Sequence, residues 1–266
     1  MRMFGQGLLI KVAALALILT PMLAPVTANA DDLNKLRKEV IWTSVSLKGA
    51  LLTKQVDGLL RLNNLALMAV GDFISANPDV DAAIAHARMR RYQRAGAGLR
   101  SILAIGADGY LAHDSYNLPA PNFNLGDRIY VREAVRQGTS DLRINASVKG
   151  RQSGLPFIPI TRAVFDVSGS VTNVIVGIVS PDSFLPEDNE CALCMSAVLT
   201  QNMDTLISRP AGWAIQPVLA DRIEKAAAGS GLELVPINGA RSLVYWHKNS
   251  FTGVITITAE WLQSDQ

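Results

Sequence analysis

The sequence predicts an α+β fold: a long N-terminal helix followed by two units, each an antiparallel sheet with a helix inserted. Three observations carry this. Residues 33–75 hold no proline and place Leu33, Leu36, Val40, Val45, Leu51, Leu52, Val56, Leu59, Leu60, Leu62, Leu65 and Leu67 at spacings dominated by three and four. From Leu99 onward the apolar pattern changes to short runs divided by Gly, Pro, Asn and Asp, as strands and turns require. The same order of elements, strands then a helix then strands, is then met twice.

In chain order, the segment 31–75 reads as a single helix of about 40 residues, near 60 Å at 1.5 Å per residue. Asn77-Pro78 ends it, and Asp79 is placed to cap a second helix over Val80–Arg94, which stops at Gly96 and Gly98. Ser101–Ala107 reads as a buried strand, Asp108-Gly109 as a tight turn, and Tyr110–Asp114 as the strand's partner. A loop with Pro119 and Pro121 leads to a short helix over Asp127–Arg136. Arg143–Lys149, Phe157–Asp166 and Val171–Ser180 read as three antiparallel strands, the last two joined around Ser168-Gly169. Beyond Pro186 come strands Met195–Gln201 and Thr205–Arg209, a helix Pro217–Ala228, and strands Arg241–Lys248 and Thr252–Glu260. The domains follow as 76–186 and a smaller unit, 187–266.

Composition narrows the class. The 266 residues are 49% hydrophobic and 18% charged with two cysteines, which excludes a disordered chain, a collagen-like chain and a disulfide scaffold. Part of the mean hydropathy of +0.20 is concentrated at the start. Arg2 opens a short basic region, Leu8–Leu23 is apolar apart from Lys11, and Ala28-Asn29-Ala30 is the small-x-small pattern of a signal peptidase site. Residues 1–30 are therefore expected to be a signal peptide. The alternative is an uncleaved anchor over residues 8–23 in the inner membrane; in either case the remainder lies outside the cytoplasm, periplasmic or secreted. Without this segment 23 basic residues face 23 acidic ones, so global charge draws neither nucleic acid nor an anionic membrane.

Four segments in order resemble a known family. They are Leu103–Gly109 (LAIGADG), Gly126–Ala134 (GDRIYVREA), Ile158–Arg162 (IPITR) and Val176–Phe184 (VGIVSPDSF). They are similar to the strand with a D-G turn, the D-R-x-Y-F helix, the P-x-[ST]-R strand and the G-V-V-x-x-x-D-P-x-Y-F element of the double Cache sensors, bacterial extracytoplasmic ligand-binding domains. Ser242–Trp246 and the closing strand resemble the membrane-proximal lobe. The resemblance implies two PAS-like lobes on the long helix and a small metabolite in the distal lobe. It also implies a membrane-bound sensor kinase, chemoreceptor or cyclase as partner, because no second membrane helix and no output domain are read in the sequence.

Carried over by position, the ligand-binding candidates are Arg128, Tyr130, Arg132, Thr161 and Asp182. An arginine fork grips a carboxylate through two parallel hydrogen bonds, and a tyrosine supplies a rigid apolar face with a donor tip. The plainer alternative has Asp127 and Arg128 capping a surface helix and Tyr130 in the core. Arg151 and Ser153, in the loop before the pocket strand, are candidates for a lid. Ser180 stands where the family usually has Asp, and Val131 replaces an aromatic residue. A carboxylate or neutral ligand is accordingly expected over an amine-bearing one.

Other chemistry is thin. Cys191 and Cys194 form a C-x-x-C with no second pair or paired histidines for zinc and no following histidine for haem. A local structural disulfide is expected of them, the alternative being a thiol-disulfide redox protein. Arg88, Arg90, Arg91, Arg94 and Arg100 read as a solvated face or a contact for an acidic partner, and not as a nucleic-acid site. His86, His113 and His247 stand alone in the sequence. No G-x-S-x-G, H-E-x-x-H, P-loop or dinucleotide fingerprint is present, so neither an enzyme, a metal nor a cofactor is expected. The remaining alternative is a ligand-free interaction scaffold.

Overall fold

The computed structural model describes residues 30–186, 193–227 and 229–262, with side chains from residue 35 onward. All but the last residue of the expected signal peptide thus lie outside the described residues. The chain divides into residues 1–38 and a unit spanning Glu39–Gln266, and the sheets, cavities and core all belong to the latter.

The long helix α1 covers Ala30–Ala76. The part over Lys35–Ala76 is long and apolar enough to cross a membrane by length and composition, yet Val45, Val56, Leu60, Leu67 and Val70 are buried in the protein's core. Helix α2 (Ala82–Ala95) is capped by Asp81, two residues beyond the expected Asp79; its carboxylate accepts from the backbone N–H of Ala83 at 2.9 Å and Ile84 at 3.3 Å.

The first sheet comprises β1 (Leu99–Gly106), β2 (Leu111–Asp114), β3 (Arg143–Ile144), β4 (Val148–Lys149), β5 (Pro156–Phe165) and β6 (Val171–Val179), in the order β2-β1-β6-β5-β3 with β4 also on β5. Helix α3 (Ile129–Gln137) is inserted before β3, and a single 3-10 turn (Pro181–Phe184) closes the unit. The second sheet comprises β7 (Cys194–Leu199), β8 (Thr205–Arg209), β9 (Ser230–Ile237), β10 (Ala240–Lys248) and β11 (Ile255–Trp261), ordered β8-β7-β11-β10-β9, with helix α4 (Pro217–Lys225) before β9. Setting aside the short β4, each sheet runs second strand, first, last, fourth, third. The two halves thus repeat as topology although they do not repeat as letters.

Two sequence expectations are corrected. Arg143–Lys149 is two short pieces and not one strand: Arg143–Ile144 and Val148–Lys149 pair separately with β5, and the ladder lapses between them after Asn145, whose backbone N–H and side-chain amide both donate to the Pro159 carbonyl, at 3.0 and 3.2 Å. Strand β9 was not foreseen at all. It is the edge strand of its sheet, and its Pro236 and Gly231 make a poor strand signature.

Alternation along the strands decides where the core sits. In the first sheet Ile102, Ala104, Ile158, Ile160, Ile175 and Val179 share one cluster with Leu59, Leu60, Leu67 and Val70 of α1, whereas Ile105, Phe157, Val174 and Val176 meet Tyr130, Val131 and Ala134 of α3. The second sheet likewise turns Ala197, Val244, Trp246 and Ile257 to α4, while Val198 joins the α1 cluster. Each sheet therefore lies between α1 and a helix of its own. Polar ties fix both contacts: Thr53 to Thr256 at 2.8 Å and Asn249 to Asp57 at 2.6 Å on the second sheet, Asn63 to Ala97 and Arg162 to Asn64 on the first unit.

Candidate ligand-binding site

On the α3 side of the first sheet lies a cavity of about 420 Å³, bounded by β1, β2, the loop to α3, the start of α3, and the turn between β4 and β5. The volume falls in the range of small-molecule sites. The turn into β2 depends on Gly109, whose φ is +85° and where a Cβ would sit 2.7 Å from Gly126 Cα. A side chain there would push away the loop that carries Leu125 and Arg128.

Arg128 is the residue preceding α3, but its side chain makes no cap hydrogen bond. Its guanidinium borders the cavity, and its Nε is buried without a partner. Tyr130 is 3% exposed, edge-on to Phe157 with ring centroids 6.2 Å apart. Burial pushes its phenol above the ordinary tyrosine value against the opposing pull of the Arg128 and Arg151 charges, so the hydroxyl stays protonated as a hydrogen-bond donor. Arg151 and Ser153 also line the cavity. Arg151 binds Asp127 Oδ2 at 2.6 Å and the Asn124 carbonyl at 3.0 Å, which holds the Gly150–Leu155 turn against the entrance to α3.

The other three candidates lie elsewhere. Arg132 is on the exposed face of α3. Thr161 is fully buried, its hydroxyl oxygen accepting from Asn145 Nδ2 at 3.4 Å beneath β3. Asp182 is exposed on the 3-10 turn. None of them borders the cavity.

Sequence reasoning missed several residues that do. Asp114, at the end of β2, is 4% exposed; its Oδ1 accepts from Ser101 Oγ at 3.0 Å and the Tyr116 N–H at 2.8 Å, and its Oδ2 from Asn117 Nδ2 at 2.7 Å. Arg100 donates to the Pro156 carbonyl and leaves its Nε buried and unpaired. Reading Arg100 with the α2 arginines was the error: Arg88, Arg90, Arg91 and Arg94 are exposed, whereas Arg100 turns inward. The available signal was the polar pair Arg100-Ser101 at the head of an otherwise apolar strand. Leu103, Leu111, Phe123, Phe157 and Ile178 supply an apolar wall.

Cys194, at the start of β7, is disulfide-bonded; Cys191 lies outside the described residues. No cluster of metal-binding side chains occurs among the described residues.

No family model and no curated protein matches the sequence. Solved structures do match. The extracellular domain of rpHK1S-Z16, a proposed histidine kinase, superposes with a TM-score of 0.70 at 18% identity, over 86% of this chain and 96% of that one. The ligand-binding domain of the Pseudomonas fluorescens chemoreceptor CtaA, in complex with L-isoleucine, gives 0.61 at 14% identity, over 87% and 95%. That of the Pseudomonas aeruginosa chemoreceptor PctC, in complex with GABA, gives 0.61 at 13%, over 84% and 99%. The chain shares the fold of these domains, a long helix followed by two antiparallel sheets. These neighbours are the extracellular domain of a kinase and the ligand-binding domains of chemoreceptors.

Proposed function

We propose that the protein is an extracytoplasmic sensor of a small molecule, with residues 76–186 as the ligand-binding lobe and 187–266 as a second lobe, reporting to a membrane-bound kinase, chemoreceptor or cyclase. The observation that carries this reading is the cavity itself: an apolar wall with Tyr130 as donor and an unpaired arginine, Arg128, in a fold whose neighbours bind small molecules. Signal transfer would use the shared core. A ligand that favours a closed arrangement of α3 and the Gly150–Leu155 turn shifts the population of first-sheet packings, and α1, tied to both sheets, carries that shift to the second lobe.

Calorimetric screening of the purified protein against a metabolite library tests this, with Arg128→Ala and Tyr130→Ala as controls. A binder whose affinity falls at least ten-fold in both variants is the expected result. A binder indifferent to both changes would put the site elsewhere.

A further inference from the structure

Resting on that reading, we infer that the ligand of the distal cavity is an organic carboxylate with an apolar body and no ammonium group. The argument is one of charge and hydrogen-bond supply. Three cations border the cavity, and Arg151 is already matched by Asp127 at 2.6 Å. Arg100 spends one donor on the Pro156 carbonyl, Arg128 makes no side-chain hydrogen bond among the described residues, and both keep a buried Nε unpaired. These are forked donors in want of a planar anion.

The one acid among the lining residues is Asp114, and it is committed to its own strand and turn through Ser101, Tyr116 and Asn117. Counting Arg100 and Arg128 against Asp114 leaves one positive charge. A monocarboxylate brings the site to neutrality. A zwitterionic amino acid leaves the excess in place and sets an ammonium beside two guanidiniums, with a carboxylate that already accepts three hydrogen bonds as its only counter-charge. Of the rest of the lining, Leu103, Leu111, Phe123, Phe157 and Ile178 offer an ammonium no acceptor and an aliphatic or aromatic body a dry surface, while Asn117, Gln152 and Ser153 bring neutral polar groups and no counter-charge.

Titration calorimetry on the full chain with two matched sets of probes decides this. One set is 4-methylpentanoate, L-leucine and 4-methylpentanamide; the other is 3-phenylpropanoate, L-phenylalanine and 3-phenylpropanamide. The expected result is that at least one carboxylate binds ten-fold or more tightly than its amino acid and its amide, and that Arg100→Gln and Arg128→Gln each cost ten-fold or more. Circular dichroism melts establish that each variant is folded, and Arg128→Lys, which keeps the charge and loses the fork, is expected to fall in between. An amino acid binding more tightly than its deaminated partner overturns the inference and leaves the sensing reading intact. Carboxylate binding untouched by either arginine change, or no binding in either set, overturns it as well. The sensing reading itself falls only if the broader metabolite screen yields no binder sensitive to Arg128→Ala and Tyr130→Ala.

Discussion

Two glycines of α1 make a matched test of how the helix carries the second sheet. Gly58 has nothing within 4 Å of where a Cβ would stand, whereas at Gly49 that atom would lie 2.1 Å from Tyr245 Cδ1 and 2.6 Å from its Cγ. Gly→Ala in a helix interior gains up to about 1 kcal/mol through propensity. Overpacking costs about 1–3 kcal/mol, and the upper end applies at Gly49 because Cγ sits next to the β10 backbone and cannot swing away as a side-chain tip does. Gly58→Ala is therefore expected to stabilise by up to about 1 kcal/mol, and Gly49→Ala to destabilise by about 2 kcal/mol net. At about 2–4 °C per kcal/mol for a chain of this size, the two melting temperatures separate by roughly 6–12 °C in opposite directions from the parent. Thermal melts followed by circular dichroism read this, and Tyr245→Ala in the Gly49→Ala background is expected to recover part of the loss. Equal stabilisation by both alanines would refute the claim that α1 is clamped against the second sheet.

Further outcomes follow from the distal unit. Asp114→Ala orphans Ser101 Oγ, the Tyr116 N–H and the Asn117 amide, so urea denaturation is expected to show a loss of about 2–3 kcal/mol. Ser101→Ala, which removes one of those bonds, is expected to lose about 1 kcal/mol. His113 is half-buried and desolvation holds its imidazole below the ordinary value of 6.5; the folded state thus prefers neutral His113. Its contribution is present above the unfolded value and lost as pH falls through the folded one, so melting temperature is expected to drop on acidification below about pH 6.5 and His113→Gln to flatten that dependence. A profile unchanged by His113→Gln would remove the residue from the pH response.

The long helix and most strands of both sheets were legible from the apolar pattern: spacing dominated by three and four in α1, short apolar runs bounded by turn residues in β1, β5 and β6. Strand β9 was not, since an edge strand holding Pro236 and Gly231 needs only one partner and carries little of a strand's signature. The interruption after Asn145 was hidden for a related reason, since the bonds that Asn145 makes to the Pro159 carbonyl join residues fourteen apart in the sequence. The candidate site was legible where one element carries it, as α3 carries Tyr130 and its leading residue Arg128. Arg100, Asp114 and Phe157 come from three strands and converge only in the fold, while Arg132 and Thr161, adjacent to real site elements in sequence, point to solvent and under β3.

A larger groove of about 960 Å³ separates α3 and β3 from the β7–β8 and β10–β11 turns, and Tyr130 borders both spaces. Glu133, Arg136, Asp204 and Lys248 make this groove a polar crevice of mixed charge, without the apolar enclosure of the distal cavity. Diffraction from crystals grown with the tightest-binding compound tells the two apart. The account predicts density in the distal cavity, with the acid group against Arg128 and the body along Phe157 and Leu111. Density confined to the groove, with Arg128 unengaged, would contradict it.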